Sequence, residues 1–424
     1  MNSENQLLNQ ELHARPGINF SVPSRWIHVL LQRPDSQASP EPMLRDLLGR
    51  EPSFESPESG DRYRFMQDGS RLLGLELHTE SYALTMVEAG QAGALFSRPL
   101  SEQLSAPFLQ RMHEDLITGL RIEVVDVSVL AGEDEYLWAQ RQLDGAQLVG
   151  GWMSDRHASV WTDYRPDADC LIRVLVIGHQ LTPGRLGRLV HRLSDIDDYR
   201  IMAQRGLPVA QGLMRELNEV EPRLDAVMAL LAREPGASQQ EELLTEITRI
   251  SARVEHMIAR SAYRFSASRA YAAIVEQRFK AVGEEVQQGH LRLTIFLKKT
   301  LGPAMRTCEA AEQRAQSIAE RISRAAHVLN TMVDLQNKRQ NQSILRSMEQ
   351  QARMQVTLQM AVEGLSIVAI SYYGTGLVNY LLKSAAALGL PVDAALYTGL
   401  SIPLVVLVTW FGVRLAKKKL KLLR

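Results

Sequence analysis

Apolar and polar positions change rhythm twice along this chain. Up to about Leu181, short runs of alternating or β-branched residues interleave with short helical periods. Trp26 to Leu31, Arg71 to Leu77, Ser81 to Val87, Ile122 to Leu130 and Leu171 to Gly178 read as strands. Glu41 to Leu48, Glu102 to Leu116 and Glu133 to Gln142 read as helices, and turn formers separate the elements, as in Ser53 to Asp61 and Tyr164 to Asp167. The mixture predicts a single α/β (or α+β) domain over residues 1–182.

Thr182-Pro183-Gly184 sets a proline in the first turn of a helix, and beyond it the pattern is helical. Long helices are expected over Gly184 to Arg205, Gly206 to Arg233 and Gln239 to Gln288, with breaks at Gly206-Leu-Pro208 and Glu234-Pro-Gly236. A short apolar helix then follows Gly289 and ends at Gly302-Pro303, which closes a helical region over residues 183–303. Next comes a stalk helix over residues 304–363. In it Cys308, Ala311, Ala315, Ile318, Ile322, Ala325, Leu329 and Met332 alternate spacings of three and four, the coiled-coil seam of helices packed along their length. Beyond Met332 the stretch from Gln336 to Gln342 is polar: it lines a wet central passage or is the solvated face of an ordinary stalk.

The second change of rhythm is at Gly364. Two uncharged apolar runs, residues 364–382 and 394–413, flank a loop over residues 383–393. Each spans roughly 30 Å as a helix, the thickness of a bilayer core. A basic tail over residues 414–424 holds Arg414, Lys417, Lys418, Lys419, Lys421 and Arg424. The positive-inside rule places that tail in the cytoplasm, and a two-helix transmembrane hairpin returns the N-terminal body to the same side. The competing reading is a hairpin buried inside a soluble protein.

Charge and cysteine content narrow the classes. Lys plus Arg number 48 and Asp plus Glu number 48, which argues against nucleic acid as the main partner. The 2 cysteines, Cys170 and Cys308, have no paired spacing, so a disulfide framework or thiolate zinc site is excluded and a reducing compartment fits. The opening MNSENQLLNQELHARP has neither a basic nor an apolar signal region, so insertion is expected to rely on the hairpin.

Candidate chemistry is sparse. The chain has no Gly-rich phosphate loop, zincin pattern, nucleophile elbow or kinase signature, so it is not read as an enzyme and no cofactor is expected beyond a divalent cation. His13, His28 and His78 with Glu80 are metal-ligand candidates by residue type; the alternative is structural, hydrogen-bonded histidines, as for His157. Glu11-Leu-His-Ala-Arg-Pro16 is dense in directional polar groups, and docking through His13 and Arg15 onto the sheet is expected. Arg264, Arg269 and Arg278, near Tyr263 and Tyr271, either grip an anion or join helices through ion pairs. Glu363 stands at the mouth of the first span, where a protein interface, water or a basic partner such as Arg353 must face it. Inside that span lie Ser366, Ser371, Tyr372, Tyr373, Thr375 and Asn379, with Gly364, Gly374 and Gly376; the second span is plainer, with Pro403 and Trp410. The asymmetry predicts a homo-oligomer in which first spans meet at the centre.

Four stretches, Glu11 to Pro16, His78-Thr-Glu80, Arg264-Phe-Ser-Ala-Ser-Arg-Ala-Tyr271 and Val362 to Tyr373, resemble the bacterial family called domain of unknown function 3422 over nearly the whole chain. That resemblance implies a membrane anchor in a bacterial inner membrane and no particular activity. The order of domain, stalk helix, two spans and basic tail also looks like the CorA-type magnesium channels, which are pentamers whose first spans line the pore. There a Tyr-Gly-Met-Asn signature ends the first span; here Thr375 to Asn379 follow Tyr373-Gly374, without the Met-Asn pair. The loop over residues 383–393 has one charge of each sign and no acidic mouth. The expectation is a homo-oligomeric inner-membrane protein of CorA-like architecture, acting as a cation channel or transporter, with Glu363, Ser366, Tyr373, Gly374 and Asn379 as pore-lining candidates. A non-transporting membrane-anchored scaffold or partner-binding protein is the alternative.

Overall fold

Strand β1 (Ser24–Gln32) lies mid-sheet and is buried along nearly its whole length, as the run Trp26-Ile-His-Val-Leu-Leu31 requires. Around it β2 (Tyr63–Asp68), β3 (Arg71–Leu77), β4 (Ser81–Ala89), β5 (Leu116–Asp126), β6 (Val149–Met153), β7 (Ala158–Thr162) and β8 (Ile172–Gly178) form an 8-stranded sheet ordered β2-β3-β4-β1-β5-β8-β7-β6. Only the β5–β8 pair is parallel among these neighbours. The structure is a computed structural model that describes residues 18–34, 38–51, 63–90, 94–145, 147–287, 289–388 and 393–421, with side chains to Ala416. The turn expected from Ser53 to Asp61, the Glu11 to Pro16 segment with His13, and the tail side chains beyond Ala416 lie outside the described residues.

Alternation along β1 divides the core. Ile27, Val29 and Leu31 join Met43, Leu44, Phe108 and Met112 of helices α1 (Glu41–Leu48) and α2 (Ala106–Asp115). Trp26 on the opposite face joins Leu120, Ile122 and Val124 of β5 and Leu186, Leu189, Val190 and Leu193 of α4 (Pro183–Gln204). A third cluster beneath Trp161 and Ala139 brings in α3 (Glu135–Gln142). Helices thus cover both faces, and the N-terminal domain is the expected mixture of strands and helices.

Helices α5 (Gly206–Leu231), α6 (Ala237–Val282) and α7 (Leu293–Ala387) follow. Their buried positions recur at threes and fours: Leu213, Leu217, Val220, Leu224 and Val227 in α5, and Ile247, Ile250, Val254 and Met257 in α6. In α7 the seam from Cys308 to Leu329 is buried. Ion pairs bind the faces together: Arg269 to Glu312, Lys298 to Glu276 at 2.7 Å, and Arg321 to Glu221 at 3.1 Å.

One expectation fails here. The short helix does not end at Gly302-Pro303: Pro303 lies inside α7. A proline forfeits one backbone hydrogen bond, but Leu301 and Ala304 beside it are buried, and that packing carries the helix through.

By contact density the chain forms two units, residues 1–326 and 327–424. The second contains the C-terminal part of α7 and helix α8 (Ala394–Lys421). Both helices are long and apolar enough to cross a membrane. Among the described residues their apolar side chains lie mostly exposed, which a core hairpin of a soluble protein would not show.

Candidate functional site

Helix α4 breaks its own amphipathic rule. Leu186, Leu189, Val190 and Leu193 set an apolar face, yet four residues after Leu193 the sequence places Asp197, flanked by Asp195 and Asp198, and all three are buried. Such groups are costly away from water unless each is paired. Asp197 accepts hydrogen bonds from Thr118 of β5, from Arg200 at 2.8 Å and from the Tyr164 hydroxyl. Asp198 meets His28 of β1, Oδ2 to Nε2 at 2.9 Å, while His28 Nδ1 lies 2.9 Å from Thr85 Oγ1. Asp195 accepts from Arg278 Nε at 2.6 Å and lies 3.7 Å from His191.

The electrostatics follow from this packing. Burial opposes a charged His28, but the Asp198 carboxylate outweighs it and the imidazole pKa is raised. Burial also raises Asp198, so the pair retains its proton to higher pH than either group would alone. Burial, reinforced by the Asp197 charge, raises the Tyr164 phenol well above its ordinary value.

Beside this layer a cleft of about 500 Å³ opens between α4 and the β3–β4–β1 face. Glu76, Thr85, Arg188, His191, Ser194 and Arg278 supply its polar lining, and Trp26 and Phe65 an aromatic wall. Gly187 lets the Ile18 carbonyl press on α4, since a Cβ there would lie 1.9 Å from that oxygen; Ile18 itself edges the cleft. The Ser194 hydroxyl is buried without a hydrogen-bond partner, and exposed Arg188 has no ion pair, both among the described residues. An available guanidinium, an available hydroxyl and an aromatic wall suit a small organic anion.

The sequence candidates scatter over this unit. His28 is engaged by Asp198 and Thr85; His78 lies 3.8 Å from Glu76 and edge-on to Tyr199; Glu80 receives a two-pronged hydrogen bond from Arg264 at 2.9 and 3.1 Å. Partial burial would raise Glu80, but hydrogen bonds from Tyr263 and Arg264 lower its pKa below the usual value. No group of three or more His, Cys, Asp or Glu placed to hold a metal occurs among the described residues. Arg264, Arg269 and Arg278 each join separate elements, through Glu80, Glu312 and Asp195. The apolar periodicity alone does not point to Asp195, Asp197 and Asp198; acids at core-facing helical positions are the signal that marks them.

In the second unit the polar groups of the first span divide between faces. Ser371 is buried, a Cβ on Gly374 would approach Val405 of α8 to 3.0 Å, and Asn379 Oδ1 accepts from Thr398 Oγ1 at 3.3 Å. These residues close α7 onto α8. Ser366, Tyr373 and Tyr380, seven apart, lie exposed on another side. Glu363 is half-buried one turn before Ile367, and Arg353 pairs instead with Glu349 at 2.6 Å. The five pore-lining candidates therefore do not share one face. Hydroxyls of Ser366, Thr375 and Thr409 turn back onto carbonyls of their own helices.

Residues 3–420 match the family described as Protein of unknown function (DUF3422). The chain belongs to that family. No curated protein and no solved structure matches this DUF3422 chain, so the likeness to CorA-type channels gains no support from either comparison.

Proposed function

We propose that this DUF3422 protein is a membrane-anchored, non-transporting scaffold that binds partners or small ligands through its N-terminal unit. The hairpin holds it in a bacterial inner membrane, and the basic tail puts both termini on the cytoplasmic side. The observation that carries this reading is the division of the first span. Gly374 and Asn379 serve contact with α8, whereas Ser366 and Tyr373 turn elsewhere, so the glycine and the amide are not available to line the same passage as the exposed hydroxyls. The cleft beside Arg188 and Ser194 is the ligand-binding surface of this scaffold.

A cation channel is the second reading, favoured by the exposed stripe of Ser366, Tyr373 and Tyr380. Liposomes containing the intact chain and an internal divalent-cation indicator separate the two. The scaffold reading expects no flux above that of empty vesicles. A flux that Tyr373→Ala or Asn379→Leu abolishes would overturn it in favour of the channel.

A further inference from the structure

Between the buried seam that ends at Leu329 and the first span, α7 runs with every residue from Gln340 to Val362 exposed. Helices in proteins draw most of their stability from packing one face, and along this stretch no face is packed. The exposed positions are not those of a solvated rod, because Ile344, Leu345, Met348 and Leu358 stand at least half exposed. Asn341, Ile344, Met348, Gln351, Gln355 and Leu358 follow alternating spacings of three and four, and Val362 continues them. The positions flanking that line are neutral as well, among them Leu345, Ala352 and Met354.

Charge is confined to the far side. From Arg339 to Val362 the charged residues are Arg339, Arg346, Glu349 and Arg353. The three arginines recur every seven residues on the edge opposite the line, and Glu349 lies beside them and pairs with Arg353. A heptad repeat with a neutral seam and charge at its outermost position is the pattern of a helix that packs along its length against other helices.

We propose that residues 340–362 of α7 form a parallel, in-register helical bundle with the same residues of further copies of this chain. The amides identify the partner. Asn341, Gln351 and Gln355 each carry a donor and an acceptor, so each can bond its own counterpart when identical residues meet at one height. An in-register parallel assembly provides that meeting at every amide, and buried amides of this kind fix register. The hairpin supplies the direction: copies anchored in one membrane by the same two helices project this stretch the same way, at raised local concentration. Placing the arginines outermost keeps like charges of neighbouring copies furthest apart. The inference goes beyond the scaffold reading, depends only on the anchor, and holds whether or not the hairpin conducts.

Cysteine cross-linking of the full chain in its membrane tests it. In a Cys170→Ser background, with Cys308 buried, single substitutions Ile344→Cys, Met348→Cys and Gln351→Cys probe the seam; Arg346→Cys and Arg353→Cys probe the outer edge. A disulfide needs Cα atoms within about 7 Å, so seam positions should yield homodimers about tenfold faster than edge positions under mild oxidation. Equal rates on both faces, no seam product, or a seam product with the mass of a different protein would each overturn the proposal. As a second measurement, Ile344→Lys combined with Leu358→Lys should reduce the solubilised particle to a single chain by light scattering. An unchanged mass would also overturn it, and a retained N-terminal unfolding transition excludes misfolding as the cause of a reduced mass.

Discussion

Helix α4 and the free stretch of α7 handle polar groups in opposite ways. In α4, Asp195, Asp197 and Asp198 are driven into the core, and strands and neighbouring helices bring Arg278, Arg200, Tyr164, Thr118 and His28 to meet them. In α7 the charges withdraw to one edge, and amides and apolar groups are left facing outward. The first region meets most of its polar atoms within the chain, the Ser194 hydroxyl and Asp198 Oδ1 excepted. The second is complementary to a surface that the single chain does not provide. The difference is one of location: buried charge is tolerable only beside fixed partners, whereas neutral amides can wait in water until a copy arrives.

The contrast is open to mutation. The largest effect is expected from Asp197→Ala, which leaves Arg200, Tyr164 and Thr118 without their shared acceptor. Urea unfolding should show a loss of about 3–5 kcal/mol, the cost of breaking a buried ion pair from one side. A loss below about 1 kcal/mol would mean the layer is not held as described.

Next comes Glu80→Ala, which strips Arg264 of its acceptor and should cost about 1–3 kcal/mol by the same measurement. Because the Glu80 pKa is lowered by folding, its contribution is present above the ordinary glutamate range and lost as pH falls through the lowered value. Glu80→Gln should therefore flatten the acid limb of the melting-temperature profile.

The His28–Asp198 pair has the opposite sign. Both pKa values are raised, so each contribution is lost as pH climbs: the Asp198 part is fully present only below the ordinary aspartate value, and the His28 part is fully present below the ordinary histidine value and declines through the raised one. Melting temperature should fall between mildly acidic and alkaline pH in the parent chain, with a shallower slope in His28→Gln; equal slopes would assign the trend elsewhere. The smallest effect belongs to the outer edge of α7, where Arg346→Ala should change stability by no more than about 0.5 kcal/mol and leave the oligomer mass unaltered.

Local pattern made much of this fold readable. The strand expected from Arg71 to Leu77 and the helix from Glu41 to Leu48 are found at those residues, because apolar alternation and a proline near the helix start agree with tertiary packing. Strand β5 was expected to reach Leu130 but ends at Asp126, whose carboxylate accepts from the Ser128 amide and turns the chain into a 3₁₀ turn. Strands β6 and β7 leave little trace in the sequence pattern: five residues each, with two glycines in Val149-Gly-Gly-Trp-Met153, give too little alternation.

The polar layer was hidden for another reason. His28 and Asp198 lie 170 positions apart, and no local rhythm encodes that meeting. The polar groups of the first apolar run are visible in its composition, but which of them turns toward α8 depends on helix phase, as Gly374 and Tyr373 show by facing different ways one residue apart.

The central place of β1 has a consequence for synthesis. Strand β1, the first strand among the described residues, hydrogen-bonds to β4 on one side and to β5 on the other, so it has no complete edge until Asp126 has been made. Its α4-facing side stays uncovered for longer still. A nascent chain halted between Gln32 and Pro183 would display a strand apolar on both faces, a natural target for holding chaperones. Both helices long and apolar enough to cross a membrane are translated after this sheet and its covering helix, so the order of synthesis lets the sheet close before either of them exists.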